Sequence, residues 1–285
     1  PPQPLKIAKK LVPSTIKNAL KERLLKANPD TPSITASMIT KRSRFLKDMI
    51  DRVDIILAPS RFLRKKFIHY GVAEGKIIHS DYGVNGGGLG KLEKQHSNKF
   101  RFGFVHGISE DKGIRVLIDA FNKIKKDNVV LSIFGPYEKR GLSKLRKELT
   151  IDSRIIFYGP FDNRKISSIL SQIDVLIYPS IWYENQPIAI LEALLAKVPV
   201  ITSNLGGMAE LVQDGVTGLL FEAGNPDDLH QKMLTLIDNP ELLRRLSESS
   251  RQVKTIEKNA EELNEIYECL LKQAGRPFRT LLVSG

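Results

Sequence analysis

The stretch "DVLIYPSIWYENQPIAILEALLAKVPVITSNLGG", residues 174–207, decides the fold. It runs from an apolar β-rich segment, "VLIYPS", through a loop and a helical pattern, "PIAILEALLA", into a second β-rich segment, "VPVIT". Both β-rich segments are continuous apolar runs rather than alternations, as expected of strands covered by helices on both faces. The same order extends outward. "FRFGFVH", "VVLSIFG" and "IIFYG" precede the stretch and "GLLF" follows it, with the helical patterns "GIRVLIDAFNKIKK", "GLSKLRKEL", "NRKISSILSQ" and "GGMAELV" between strands. This βαβα order predicts an α/β fold built on a doubly wound parallel sheet. Polar helices are expected after "GNPDDL" to Gln273, and "RPFRTLLVSG" reads as a tail.

Upstream, "RVDIILAPSRFLRKKFIHYGVAEGKIIHSDYGV" reads as strand, turn at Pro59 and Ser60, helix and strand. The Gly-rich, polar run "NGGGLGKLEKQHSN" is the best linker. The expected organisation is therefore an incomplete N-terminal domain over residues 1–84, a linker over 85–98, the main domain over 99–255, and a C-terminal helix and tail over 256–285. The chain opens on Pro1 without a methionine and reads as a fragment.

With 285 residues, 41% hydrophobic and 27% charged, the chain can bury one large core or two smaller ones. Its apolar runs fall short of the roughly 18 residues that span a bilayer, and "PPQPLKIAKK" lacks the apolar core of a signal peptide. Cys269, the single cysteine, excludes an internal disulfide and a CxxC knuckle, and the five histidines fall in no HExxH spacing. A cytoplasmic, metal-free protein is the expectation. The net charge of +12 is lopsided: residues 1–66 hold 16 Lys and Arg against 5 Asp and Glu, which leaves the rest of the chain nearly neutral. No basic-aromatic interleaving accompanies this charge, so nucleic acid is not the expected partner. Residues 6–26 read as an amphipathic helix interrupted at Pro13, which suits either a membrane surface or packing on its own domain, and "KRSRFLKDMIDR" invites the same two readings.

Ligands of open parallel sheets bind at the carboxyl ends of the strands. The loops there are "HGISEDKG", "GPYEKRG", "GPFDN" and "SIWYENQP". In the last, Pro187 suits the first turn of a helix, with Asn185 or Gln186 as its cap. The amides of Ile188 and Ala189 at such a helix start suit a phosphate, although most helix starts stay empty. Residues 188–196 hold eight apolar side chains and Glu192, so this carboxylate needs donors: sugar hydroxyls, or a partner within the protein. Glu184 lies beside the same helix start, where a carboxylate is awkward without a contact such as a sugar hydroxyl. Lys112 can reach a phosphate from the facing loop or sit in solvent as most lysines do.

Taken together, "FGFVHGISEDKGIRVLIDAF", "LSIFGPYE", "IIFYGPF" and residues 174–229 resemble the donor-binding domain of family 4 retaining glycosyltransferases of the GT-B fold, a Rossmann-like architecture. The segment before the linker resembles the end of that family's acceptor domain. The resemblance implies that Glu184 lies near the transferred sugar and the diphosphate, and that Glu192 holds the ribose hydroxyls. It implies that Lys112 neutralises the diphosphate, that Ile188 and Ala189 donate to phosphate, and that Asn185 and Gly107 border the donor. It places the base near Phe161 and the Gly206–Gly207 loop beside the cleft. Two positions depart from the family pattern: His106–Gly107–Ile108 stands where many members carry Gly-Arg-Leu, and Gln186–Pro187 replaces Phe-Gly after the first glutamate. The implied activity is retaining transfer of a sugar from a nucleoside diphosphate sugar, without metal or cofactor, to a carbohydrate, lipid-linked or other acceptor. Polysaccharide, glycolipid or other glycoconjugate synthesis is the expected setting, at the cytoplasmic membrane surface if residues 1–66 contact lipid. The isolated chain is not expected to transfer sugar alone. A non-catalytic nucleotide-sugar-binding module of the same fold is the alternative. A dinucleotide oxidoreductase is disfavoured because "NGGGLG" lacks GxGxxG spacing between strand and helix.

Overall fold

The β-rich runs become eight parallel strands: β1 (Ile56–Ala58), β2 (Ile77–His79), β3 (Phe100–Val105), β4 (Val129–Phe134), β5 (Ile155–Gly159), β6 (Val175–Tyr178), β7 (Val200–Ser203) and β8 (Gly218–Phe221). This computed structural model describes residues 34–137, 143, 145, 147–249, 252–273 and 275. The amphipathic pattern at residues 6–26 and the expected tail lie outside the described residues, as does part of the helix expected over "GLSKLRKEL". The chain divides into two compact units, Pro1–Val53 and Asp54–Gly285.

In the first unit, helix α1 (Ala36–Arg52) is capped by the Thr35 hydroxyl, which accepts from the Met38 amide. None of its residues is buried, and Met38, Ile39, Phe45, Leu46 and Met49 stand exposed.

In the second unit, β1 and β2 pair as a two-stranded sheet, joined by α2 (Arg61–His69), whose cap is the Ser60 hydroxyl. The six remaining strands form one sheet in the order β5-β4-β3-β6-β7-β8, with every neighbour parallel. The helices that follow in the chain are α3 (Ile114–Asn122), α4 (Ile166–Ser171), α5 (Ile188–Leu195), α6 (Met208–Leu211), α7 (Pro226–Asp238), α8 (Pro240–Glu248) and α9 (Ile256–Gln273). Helices α7 and α8 begin at Asn-Pro pairs, where the Asn225 and Asn239 side chains accept from the first-turn amides and a proline at the first position loses no hydrogen bond.

Because successive side chains of a strand point to opposite faces, a strand buried on both faces feeds two cores. Val175 and Ile177 of β6 join Phe102, Phe104, Leu131 and Ile133 in one apolar cluster, roofed by Leu117, Ile118 and Phe121 of α3 and by Leu229, Met233 and Leu236 of α7. Leu176 and Tyr178 join the other, under Ile166, Ile169 and Leu170 of α4 and Ile190, Leu191 and Leu194 of α5. Each large side chain so buried stabilises the fold by about 1.5–3 kcal/mol.

Residues 85–98 run within the second unit. Leu89 is buried in the second cluster, the Gln95 amide donates to Ser171 O at 3.0 Å, and Lys94 Nζ donates to the carbonyls of Leu170 and Ile173. Burial pulls the Lys94 ammonium down to about 8. The crossover from β2 is also tied to the C-terminal segment, since Val84 N donates to Lys254 O at 2.9 Å and Ile256 N donates to Val84 O at 3.2 Å.

The chain winds from β3 toward β5 in one direction and from β6 toward β8 in the other, so the winding reverses between β3 and β6. A crevice opens at the carboxyl ends of strands at such a reversal. Gly113 closes one side of it. Its φ is +73°, and a Cβ there would lie 1.9 Å from the Pro179 carbonyl oxygen, so the start of α3 packs directly on the backbone after β6. Gly113→Ala is expected to lower unfolding free energy by at least about 2 kcal/mol, from φ strain plus a clash with backbone that cannot rotate away. Chemical denaturation measures this; a loss below about 0.5 kcal/mol contradicts the packing.

Candidate functional site

The crevice is a cavity of about 330 Å³, lined by residues from four strand ends and from the start of α5. Val105 ends β3 and His106 and Gly107 follow it, Gly135 and Pro136 follow β4, Phe161 and Asn163 follow β5, and Tyr178 ends β6 with Glu184 in the loop after it; Pro187 caps α5, which contributes Ile188, Ala189 and Glu192. Six of the residues expected from the sequence therefore share one wall or another of it: Gly107, Phe161, Glu184, Ile188, Ala189 and Glu192. Lys112 stands behind Glu184 and reaches the cavity through it. Asn185, Gly206 and Gly207 do not line it.

The start of α5 differs from the expectation. Pro187 occupies the cap position rather than the first turn, and no side chain caps the helix. Gln186 is 5% exposed and turned the other way, accepting from Tyr82 N at 2.5 Å and donating through Nε2 to Asp81. Asn185 is exposed and its carbonyl faces Gly207. The reason is long-range: the crossover after β2 has a backbone amide and a carboxylate to satisfy, and Gln186 satisfies both. The amides of Ile188 and Ala189 are left without a side-chain acceptor at the positive end of the helix. Nor is α5 buried all round, since Ile188 is 39% exposed on the cavity side.

The loop between β6 and α5 is held from behind by α6 and its approach. Gly207 N donates to Glu184 O at 2.9 Å, and a Cβ on Gly207 would lie 1.5 Å from Asn185 O, a distance only glycine permits. Gly206, at φ +58°, lies against the same carbonyl of Glu184 and the Tyr183 ring. Tyr183 stacks on Phe62 of α2 at 5.0 Å with Lys66 Nζ over both rings. These two glycines therefore pack against the backbone that carries Glu184.

Glu184 does not stand alone in the way the sequence suggested. Its Oε1 lies 2.5 Å from Lys112 Nζ, with both side chains under 20% exposed, and Lys112 is also 3.5 Å from Asp111 Oδ2. Ser180 Oγ lies 3.0 Å from Asp111 O and 3.3 Å from Glu184 Oε1, and its one proton serves one of them at a time. The Ile181 amide donates to the same Asp111 carbonyl, which ties the β3 and β6 loops together across the reversal.

Glu192 is the opposite case. No described side chain or amide donates to its carboxylate, and burial pushes it up to about 7. Tyr178 is buried beside it, its phenol held well above the usual range by desolvation and then by the charge of Glu184. His106 packs its ring edge-on against Tyr178 at 5.3 Å, and burial, followed by the Lys112 charge, holds its imidazole below the usual range. Phe161 meets Phe134 edge-on at 6.4 Å, and Phe134 in turn stacks on Tyr158. Among the described residues no group of three or more His, Cys, Asp and Glu is gathered as a metal would require, and no helix is long and apolar enough to cross a membrane.

Sequence reasoning did not single out Tyr178, Asn163 or the Gly135–Pro136 turn as cavity residues. The signal was present, for each lies at or just past the end of a strand. What was missing was the strand order, which decides that β4 and β5 lie on one side of the crevice and β6 on the other.

Residues 91–253 match the family described as glycosyl transferases group 1. An uncharacterised glycosyltransferase of Methanocaldococcus jannaschii is 30% identical over 209 residues, covering 73% of this chain and 56% of the relative. The N-acetyl-alpha-D-glucosaminyl L-malate synthase of Bacillus anthracis is 29% identical over 58% of this chain and 46% of that protein. The chain spans about half the length of the curated relatives it matches. Among solved structures, Anabaena HepE in complex with UDP superposes with a TM-score of 0.74 at 20% identity, covering 84% of this chain and 70% of that one. Sucrose-phosphate synthase of Thermosynechococcus elongatus gives 0.73 at 21% identity, over 85% and 65%. These likenesses confirm the Rossmann-like doubly wound sheet of the GT-B glycosyltransferases, and the sequence match shows that this chain belongs to the group 1 glycosyltransferases.

Proposed function

We propose that this chain is the donor-binding portion of a family 4 retaining glycosyltransferase that takes its sugar from a nucleoside diphosphate sugar. The observation that carries the reading is the cavity at the β3–β6 reversal, where an uncapped helix start, a Lys–Glu pair and an unpartnered carboxyl converge. The likeness to Anabaena HepE, solved with UDP and with UDP-glucose, supports it.

In this reading the amides of Ile188 and Ala189 receive the diphosphate, which suits the positive end of α5. Lys112 Nζ, held on Glu184 Oε1, exchanges part of that contact for phosphate oxygen. Glu184 is then free to accept from hydroxyls of the transferred sugar. Glu192 accepts from the ribose hydroxyls, which gives its buried carboxylate the donors the protein does not provide. Phe161 offers an aromatic edge to the base. When the bond from the sugar to the diphosphate breaks, the bonding pair leaves with the phosphate oxygen, and the developing charge meets Lys112 and the two amides without a metal. The sugar, a hexose in our reading, passes to a carbohydrate or lipid-linked acceptor in polysaccharide or other glycoconjugate synthesis. The basic bias of residues 1–66 and the exposed apolar side chains of α1 support an acceptor at a membrane surface.

Two measurements test this. Thermal melts with UDP, GDP and ADP at millimolar concentration are expected to show one nucleotide raising Tm, with Lys112→Ala weakening its binding by about 10- to 100-fold. No shift with any of the three contradicts donor binding. The second concerns Glu192. Its folded-state value of about 7 lies above the ordinary carboxyl value of 4.5, so its burial costs nothing at low pH, and stability is lost as pH rises through that window. Glu192→Gln is therefore expected to gain on the order of 1 kcal/mol over wild type between pH 4.5 and pH 8, discounted for partial exposure. Saturating nucleotide is expected to narrow that gain, and a pH-independent difference contradicts the assignment.

A further inference from the structure

Among the described side chains lining the cavity, two are carboxylic acids, Glu184 and Glu192, and only His106 can become a cation. Lys112, just behind, is already paired with Glu184 at 2.5 Å and lies 3.5 Å from Asp111. A diphosphate carrying two negative charges therefore enters a site whose nearest ammonium is largely committed to other carboxylates. A further positive group on the cavity wall would stabilise it.

His106 is placed for that. It is the first residue past β3, on the side of the reversal that faces α5 across the cavity. Its ring is fixed edge-on against Tyr178 at 5.3 Å and tilted against Phe104 at 6.4 Å, so it cannot swing out into solvent without losing both contacts. Of its two nitrogens, Nδ1 is buried without a hydrogen-bond partner, and the Gly107 backbone beside it favours the protonated ring. The ring as a whole lines the cavity, and no described side chain engages Nε2. A ring fixed by two aromatic contacts on the wall of the cavity, with no side-chain partner, is a preorganised donor.

We propose that His106 is the switchable cation of this cavity: its Nε2 donates to the diphosphate of the nucleotide sugar, and the ring is charged while the donor is bound. The inference rests on the donor-binding reading of the cavity. The charged groups acting on His106 are Lys112, which opposes protonation, and Glu184 and Asp111, which favour it, with the neutral Tyr178 in contact and Glu192 on the same cavity. Within the protein, burial and Lys112 prevail and keep the ring neutral near pH 7. The incoming diphosphate offsets both, and the ring takes up a proton from solvent as the donor binds.

The experiment is isothermal titration of UDP-glucose and GDP-mannose into the chain and its His106→Gln variant at about pH 6 and about pH 8, a range in which these diphosphate diesters do not titrate. Glu192 titrates in both proteins, so the wild-type-to-variant affinity ratio isolates His106. That ratio is expected to fall roughly tenfold from the lower pH to the higher. Ring-carbon NMR titration of wild-type His106 is expected to show a higher pKa with donor bound than without, and decides the matter alone if the variant does not fold. A donor that binds with a constant ratio and an unmoved His106 pKa overturns the role of His106 and leaves the donor-binding reading standing. Failure of both sugar nucleotides to bind the wild type overturns both.

Discussion

All six strands of the main sheet run the same way, so all six loops that can bear function leave from one edge. That constraint brings together residues separated by as many as 87 positions, from Val105 to Glu192, in one cavity. It also dictates where glycine must sit, because loops leaving a parallel sheet side by side crowd each other's backbones. Gly113 against Pro179, Gly135 against His106 and Gly207 against Asn185 are such approaches, and they join the loop after β3 to the loops after β6 and β4, and the loop after β6 to the start of α6. The Glu184 carboxylate is thus fixed by backbone, while only its hydrogen-bond partners remain adjustable.

Those partners explain how one empty cavity can contain two acidic side chains. Glu184 is stabilised by Lys112 and by the Ser180 hydroxyl, whereas Glu192 has neither and moves toward its neutral form. Two carboxyls eight residues apart therefore differ by environment: one is ion-paired, the other buried with no described donor. The start of α5, with no side-chain cap, and the His106 ring lie on the same cavity. Gln186 matters here by what it does not do. By serving Tyr82 and Asp81 in the crossover, it leaves the helix start open and couples the donor loop to the segment that follows β2.

Much of this was legible in the sequence. Continuous Val, Ile, Leu and Phe runs separated by helical patterns were enough for a parallel sheet, because only strands covered on both faces read that way. Glu192 stood out because a lone carboxylate on an apolar helix is costly anywhere. The pairing of Lys112 with Glu184 was not legible, since residues 72 apart meet only once the strand order places β3 beside β6. The cap was misassigned for a related reason: Asn and Gln before Pro are sound local signals, yet Gln186 is claimed by a backbone amide more than 100 residues away. Local propensity names candidates, and long-range polar demand decides among them.

The central claim is that a diphosphate sits on the start of α5, opposite His106 and Lys112. A crystal structure of the chain grown with a nucleotide sugar tests it most directly. The account predicts phosphate oxygen within about 3 Å of the Ile188 and Ala189 amides, Lys112 Nζ turned toward the diphosphate, and ribose hydroxyls on Glu192. A nucleotide bound elsewhere on the chain, with the Lys112–Glu184 contact intact and the α5 amides still in water, would contradict it.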